Sequence, residues 1–243
     1  RPDLYDRPCS EAGLKDIERI VSAFAAAAVR ARKAGFDAVQ IHAAHGYLLS
    51  QFLSPFFNVR SDLYGVDQAG RARLLLDVIR RVRKEAGKDY PILVKMNSED
   101  LVDGGLTVEQ VLQTAVMLER EGVDAVELSG GTAFSGRLNP LRMGRFDSTE
   151  KEVFYRRAAE EYKGRIGIPL VLVGGIRSFE TAENLVMGGV ADFISLSRPL
   201  ICEPNLVSRW KAGDLRPSLC RSDNRCLQAM RQGEGMRCVT RDF

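Results

Sequence analysis

The sequence predicts an α/β fold built on a parallel sheet. Two observations lead there. Amphipathic helical stretches alternate with short apolar runs along the chain, and a short motif recurs where helix gives way to strand: Gly35-Phe36-Asp37-Ala38-Val39, Gly122-Val123-Asp124-Ala125-Val126 and, more loosely, Gly189-Val190-Ala191-Asp192-Phe193. Regular alternation sets consecutive strands side by side through right-handed crossovers.

The elements follow in order. Leu14, Ile17, Val21, Phe24 and Ala28 recur at helical spacing and predict a helix over 10–33, stopped by Gly35. The apolar run 38–41 is the first strand. Leu74, Val78, Ile79 and Val82 mark a helix over 70–86 that Gly87 ends, and Pro91 opens the strand 92–96. Thr107-Val108-Glu109-Gln110 is a capping box for a helix to about residue 121, followed by the strand 125–128. A long irregular stretch, 130–148, precedes a helix over 149–162 and the strand 170–173. A helix over 179–187, broken by Gly188-Gly189, leads to the last strand, 193–196. The length of 243 residues suits a closed barrel, but five strands are readable where a barrel has eight. A doubly wound open sheet is the alternative architecture.

Composition narrows the class. Hydrophobic residues make up 45% of the chain, enough for one sizeable core. No apolar run reaches membrane-spanning length, and no signal peptide is visible. The net charge is only +3, and Arg80-Arg81-Val82-Arg83-Lys84 reads as a solvated helix face, so neither nucleic acid nor membrane is expected as a partner. Five cysteines, three near the carboxyl end, fit a reducing compartment, which predicts a cytoplasmic protein. The chain starts at Arg1-Pro2 without an initiator Met and stops just after a Cys-containing stretch, as a processed chain or a piece of a longer one would.

The chain's only two histidines, His42 and His45, lie in Ala38-Val39-Gln40-Ile41-His42-Ala43-Ala44-His45-Gly46-Tyr47. Two imidazoles and a phenol therefore leave the carboxyl end of one strand together, the end at which α/β folds bind ligands. Satisfied core or loop histidines are the plainer alternative, but the clustering of the only two favours a site. Metal binding is disfavoured, since no Glu stands between them in a zincin pattern.

Other strand ends carry candidates too. Lys95 closes its strand and reaches either solvent or a ligand. Gly174-Gly175-Ile176 follows the strand ending at Val173; paired glycines let a backbone approach a ligand, and the helix beyond offers N–H groups to a phosphate. Ser197-Arg198-Pro199 occupies the equivalent place after the last strand, and Arg198 can pair with a phosphate in bidentate fashion. Loops after the last two strands of a barrel often form a phosphate site, although each loop alone is also consistent with a mere turn. Glu127 and Ser129 receive no role. Cys220-x5-Cys226-x11-Cys238, with Asn224 inside, is the third constellation, while Cys9 and Cys202 read as small apolar or unpaired thiols.

The stretch from His42 through Gly46-Tyr47-Leu48-Leu49-Ser50-Gln51-Phe52-Leu53-Ser54-Pro55 to Asn58, Arg60, Asp62, Tyr64 and Gly65 resembles the signature of the old yellow enzyme family, FMN-dependent ene-reductases on a (β/α)8 barrel. Val66 departs from it where the family usually has a second Gly. The resemblance implies a TIM-barrel type of which this chain holds only the last five strands and their helices. It divides the chain into a partial FMN-binding barrel, 1–215, and a Cys-containing carboxyl-terminal segment, 216–243. A partial barrel exposes two sheet edges, so a homo-oligomer or association with the missing barrel elements is expected.

By resemblance, NAD(P)H is the co-substrate and an enone or enoyl compound the substrate. His42 and His45 donate hydrogen bonds to its carbonyl, and Tyr47 protonates the α-carbon. Lys95 takes the place of the basic residue near the flavin N1 and O2 edge, and Gly174, Gly175, Ser197 and Arg198 hold the FMN phosphate. The cysteine spacing resembles the cluster segment of the dienoyl-CoA reductase and trimethylamine dehydrogenase branch, where four Cys hold an iron–sulfur cluster. Here Asp223 stands at an expected ligand position. A three-iron cluster, a four-iron cluster with an unusual ligand, a decayed site and zinc all remain open. Two other functions stay in view: a non-catalytic barrel fragment that binds no flavin, and a different barrel enzyme acting on phosphate-bearing substrates.

Overall fold

The computed structural model describes residues 10–144, 146, 148 and 151–240. Five strands, β1 Val39–Ala43, β2 Ile92–Asn97, β3 Ala125–Ser129, β4 Leu170–Leu172 and β5 Phe193–Ile194, form one sheet in sequence order. Every neighbouring pair is parallel. A doubly wound sheet reverses its strand order at a switch point. This order never reverses, so the open-sheet alternative is replaced by an arc of a barrel, with β1 and β5 as its edges among the described residues.

Strand alternation sorts the side chains onto two faces. Ile41, Ala43, Val94, Met96, Val126, Leu128, Leu170 and Leu172 point to the helices and are at most 4% exposed. The pairing register lines up His42, Lys95, Glu127, Val171 and Phe193 in one row on the opposite, concave face. Phe193, at the edge of that row, is 58% exposed.

The helices cover the convex face. α1 Leu14–Lys33 lies against α3 Gln68–Ala86, with the short α2 Leu48–Leu53 beside them. The predicted start of α1 at residue 10 moves to Gly13, whose N–H donates to the Asp16 carboxylate. α3 starts earlier than expected because the Asp67 side chain accepts from Gly70 N at 2.7 Å and caps it. α4 Val108–Arg120 has the predicted capping box between Thr107 and Gln110.

The helix expected over 149–162 is shorter: α5 is Arg156–Lys163, and residues 149 and 150 lie outside the described residues. Val153 takes a left-handed φ of 64°, and Phe154 N donates to Gly174 O at 3.0 Å. The chain before α5 is thus tied to the loop after β4 rather than wound into helix. α6 Phe179–Met187 is as expected. β5 is shorter than 193–196, although Ser195 N still donates to Leu172 O. Three short helices, α7 Arg198–Cys202, α8 Leu206–Lys211 and α9 Arg225–Arg231, follow.

Candidate active site

β1 runs two residues further than its apolar run implies, so His42 is a strand residue on the concave face and only His45 lies beyond the strand. His45 has a left-handed φ of 66°. Asn97, at the end of β2, holds that bend by accepting from His45 N at 3.0 Å and is itself fixed by donating to Asp100 at 2.9 Å. The His45 ring Nε2 lies 2.7 Å from Ser129 Oγ at the end of β3. The His42 ring centre is 5.1 Å from that of His45 and 5.3 Å from that of Tyr47. Tyr47 is 62% exposed, so its hydroxyl is accessible to a ligand from the concave side. Sequence proximity has become a three-ring cluster.

Lys95 Nζ donates to Glu127 Oε1 at 2.7 Å, and Gln40 Nε2 donates to Glu127 Oε2 at 2.9 Å. Burial pushes both histidines toward the neutral form, with the Lys95 charge acting in the same direction. His45, deeper and adjacent to His42 as well, is lowered from 6.5 to about 3. Both imidazoles are thus neutral near pH 7, and each can present one N–H to an acceptor.

One pocket of about 770 Å³ is lined by His45, Tyr47, Lys95, Gly174, Gly175, Ser197 and Arg198. That volume lies in the range of pockets that hold cofactors. Gly174 and Gly175 have φ of 125° and 84°. A Cβ on Gly174 would come within 2.8 Å of Tyr155, and one on Gly175 within 2.5 Å of Phe154. Conformation and packing both require glycine there. Arg198 spends Nη1 on Arg142 O and Asn224 Oδ1, both at 2.8 Å. Its Nε and Nη2 edge has no acceptor among the described residues, which leaves the side of the guanidinium that grips an anion.

One expectation is corrected. The helix after the paired glycines, α6, has a partly occupied N-terminus: the Glu152 carboxylate accepts from Arg177 N at 2.9 Å and from Ser178 N at 3.2 Å, and the Ser178 hydroxyl accepts from Thr181 N. An acidic side chain from the preceding loop already lies at that positive end. The glycine backbone, Ser197 and Arg198 line the pocket beside that end.

With that geometry in place, the comparisons are decisive. The sequence profile of the NADH:flavin oxidoreductase / NADH oxidase family matches residues 5–215. The chain belongs to this family. It is 38% identical over 213 residues to an NADH oxidase of Thermoanaerobacter brockii, an alignment covering 85% of this chain and 32% of that protein. Among solved structures, a 2-naphthoyl-CoA reductase complex superposes with a TM-score of 0.85 at 28% identity, over 97% of this chain and 35% of the other. The old yellow enzyme homologue from Zymomonas mobilis superposes at 0.69 with 31% identity, over 90% and 60%. The chain spans about a third of the length of the first two of these proteins. The family's barrel fold is therefore present here as its strand-and-helix arc, and flavin and a nicotinamide nucleotide are the family's reactants.

The candidate site has partners that motif reading missed. Glu127 accepts from Lys95 and is itself held by Gln40, while Asn97 and Ser129 carry the contacts of His45. Strand alternation held the signal: 93, 95, 97 and 125, 127, 129 are the concave positions of β2 and β3.

The cysteines sit elsewhere, although Arg198 borders their pocket too. Cys220, Cys226 and Cys238 line one small pocket together, and Cys202, read from sequence as an ordinary apolar residue, lines it with them. Cys9 lies outside the described residues. Among the described residues no three His, Cys, Asp or Glu side chains are drawn together around a single-ion position. Nor is any helix among them long and apolar enough to cross a membrane.

Proposed function

We propose that this chain carries the substrate-activating and phosphate-holding part of an FMN-dependent NAD(P)H oxidoreductase that reduces the activated C=C bond of α,β-unsaturated carbonyl compounds. The observation that carries the reading is the convergence of the neutral His45 imidazole, an exposed phenol and a cation on one pocket, with the His42 ring 5.1 Å from that of His45 and 5.3 Å from that of Tyr47. Bound FMN would supply the hydride. Lys95 would stand by the electron-rich edge of its ring, and Arg198, with Ser197 and the Gly174–Gly175 backbone, would hold the phosphate. This donor set suits the group, since it presents cations and hydrogen-bond donors at both an anion and a ring edge.

The residues act as follows. Neutral His42 and His45 each donate a ring N–H to the substrate carbonyl oxygen, which draws electron density from the alkene and stabilises the enolate. For His45 this sets the tautomer. Its Nε2 faces Ser129 Oγ, so the N–H given to substrate is on Nδ1, and Nε2 accepts from the Ser129 hydroxyl. Tyr47 delivers the proton to the α-carbon.

The test is an absorption spectrum of the purified chain mixed with FMN, before and after anaerobic NADPH, followed by 2-cyclohexenone. Flavin bands that bleach and then recover with the enone support the reading. His42→Ala should weaken enone and phenol binding more than FMN binding, and unchanged ene-reduction in that variant would overturn the role given to His42.

A second reading has its own observation. The concave face ends at two strand edges without a neighbouring strand among the described residues, and Phe193 lies open on it. A chain that cannot be loaded with FMN would be a barrel portion that acts only when further barrel strands, or a second copy, close that face.

A further inference from the structure

Four cations line the pocket, Lys95, Arg137, Arg177 and Arg198, and no Asp or Glu among the described residues lines it with them. Three of the four are held. Lys95 is paired with Glu127. Arg177 donates to Cys220 O and to Ser222 Oγ, each at 2.7 Å. Arg198 donates to Arg142 O and Asn224 Oδ1. Arg137 is exposed, and its side chain has no hydrogen bond or ion pair among the described residues.

The segment that carries Arg137 is firmly held. Thr132 and His45 form a parallel bridge between the loop after β3 and the loop after β1. Thr132 N donates to Ser135 Oγ at 2.7 Å, and that hydroxyl donates to Asp100 O at 2.5 Å, just beyond the end of β2. Thr132 and Ser135 are both buried. Gly136–Leu138 then make a single 3-10 turn. Leu138 N closes it on Ser135 O at 2.9 Å, and Asn139 Nδ2 donates to Gly136 O at 2.6 Å. A Cβ on Gly131 would come within 2.5 Å of Leu138 O, so the turn rests on the chain leaving β3. Arg137 is thus anchored at the His45 end of the pocket. The anchor of Arg198, Arg142 O, comes five residues later.

We propose that Arg137 is an anion subsite at the imidazole end of the pocket, and that it recognises anionic oxygens on an incoming reactant: a carboxylate on the reducible compound or the 2′-phosphate of NADPH. This rests on the flavin reading above, in which Lys95 and Arg198 already serve the cofactor. A cleft lined by charges of one sign draws in ligands of the other before any contact is made. A guanidinium offers a planar pair of N–H groups that matches two oxygens of a carboxylate or phosphate. Because Arg137 is exposed, its grip is that of a screened ion pair and fades as salt is added.

The experiment loads the chain with FMN and follows the flavin absorbance as unreactive ligands are added. 3- and 4-hydroxybenzoate are titrated against their uncharged methyl esters. Tetrahydro-NADP is titrated against tetrahydro-NAD, which lacks only the 2′-phosphate. Parent, Arg137→Gln and Arg137→Lys are compared at low and high salt. At low salt the parent should hold the charged member of at least one pair about three- to fivefold more tightly, the scale of an exposed ion pair. Arg137→Gln should abolish that difference and Arg137→Lys should keep most of it. High salt should erase it in the parent. A difference within the benzoates assigns the anion to the reducible substrate, and one within the nucleotides assigns it to the coenzyme. FMN affinity should be equal in all three proteins. No difference within either pair, a difference that survives Arg137→Gln, or weaker FMN binding in Arg137→Gln would overturn the subsite and leave the flavin reading standing. A parent that takes up no FMN would overturn the flavin reading, and the subsite with it.

Discussion

Along β2, Val94 and Met96 are fully buried under the helices, while Lys95 between them reaches the other face and pairs with Glu127. β3 repeats the division: Val126 and Leu128 pack inward, and Glu127 and Ser129 serve the site. The convex face is held by contacts that need only shape and apolar surface. The concave face is held by hydrogen bonds that need particular atoms at particular places. Two adjacent positions in one strand can therefore change independently, one for stability and the other for chemistry.

The largest expected effect would come from the convex face. Leu128→Ala should cost about 2–5 kcal/mol in urea unfolding, the range for emptying a well-packed core position. A loss well under 1 kcal/mol would mean that this face is not the main source of stability. On the concave face the effect is pH-dependent. His45 is lowered from 6.5 to about 3, so between those values the unfolded chain takes up a proton that the folded chain refuses. Stability from this group is complete above pH 6.5 and falls as the pH drops toward 3, by at most about 1.4 kcal/mol per pH unit. His45→Gln should flatten that part of the profile, and an unaltered slope would show that other groups produce it. The smallest effect lies away from both faces: Thr107→Ala, which removes the side-chain acceptor of the α4 cap, should cost about 1 kcal/mol in thermal unfolding.

How much of this was legible in the sequence depended on the distance over which each feature is encoded. The capping box at Thr107 and Gln110 and the apolar strand runs are local patterns, and the structure has both. The gathering of His42, His45 and Tyr47 was legible because it needs only one strand end. The start of α5 was not, because a tertiary bond from Phe154 N to Gly174 O competes with helix formation there. Glu152 over the α6 N-terminus, Glu127 on Lys95 and Cys202 among the other thiols join residues 25, 32 and at least 18 positions apart. Such pairings follow from the register of the sheet and the docking of the tail, and neither is written in a short motif.

The central claim is that the carboxyl end of the concave face binds a flavin phosphate and ring. The most direct measurement is a fluorescence titration of FMN with the parent chain, Arg198→Ala and Arg157→Ala. The last removes an arginine whose side chain is 91% exposed and which does not line the pocket. The account predicts saturable quenching by the parent, affinity at least about tenfold weaker in Arg198→Ala, a loss of about 1.4 kcal/mol, and no change in Arg157→Ala. Equal weakening in both arginine variants, or none in either, would contradict it.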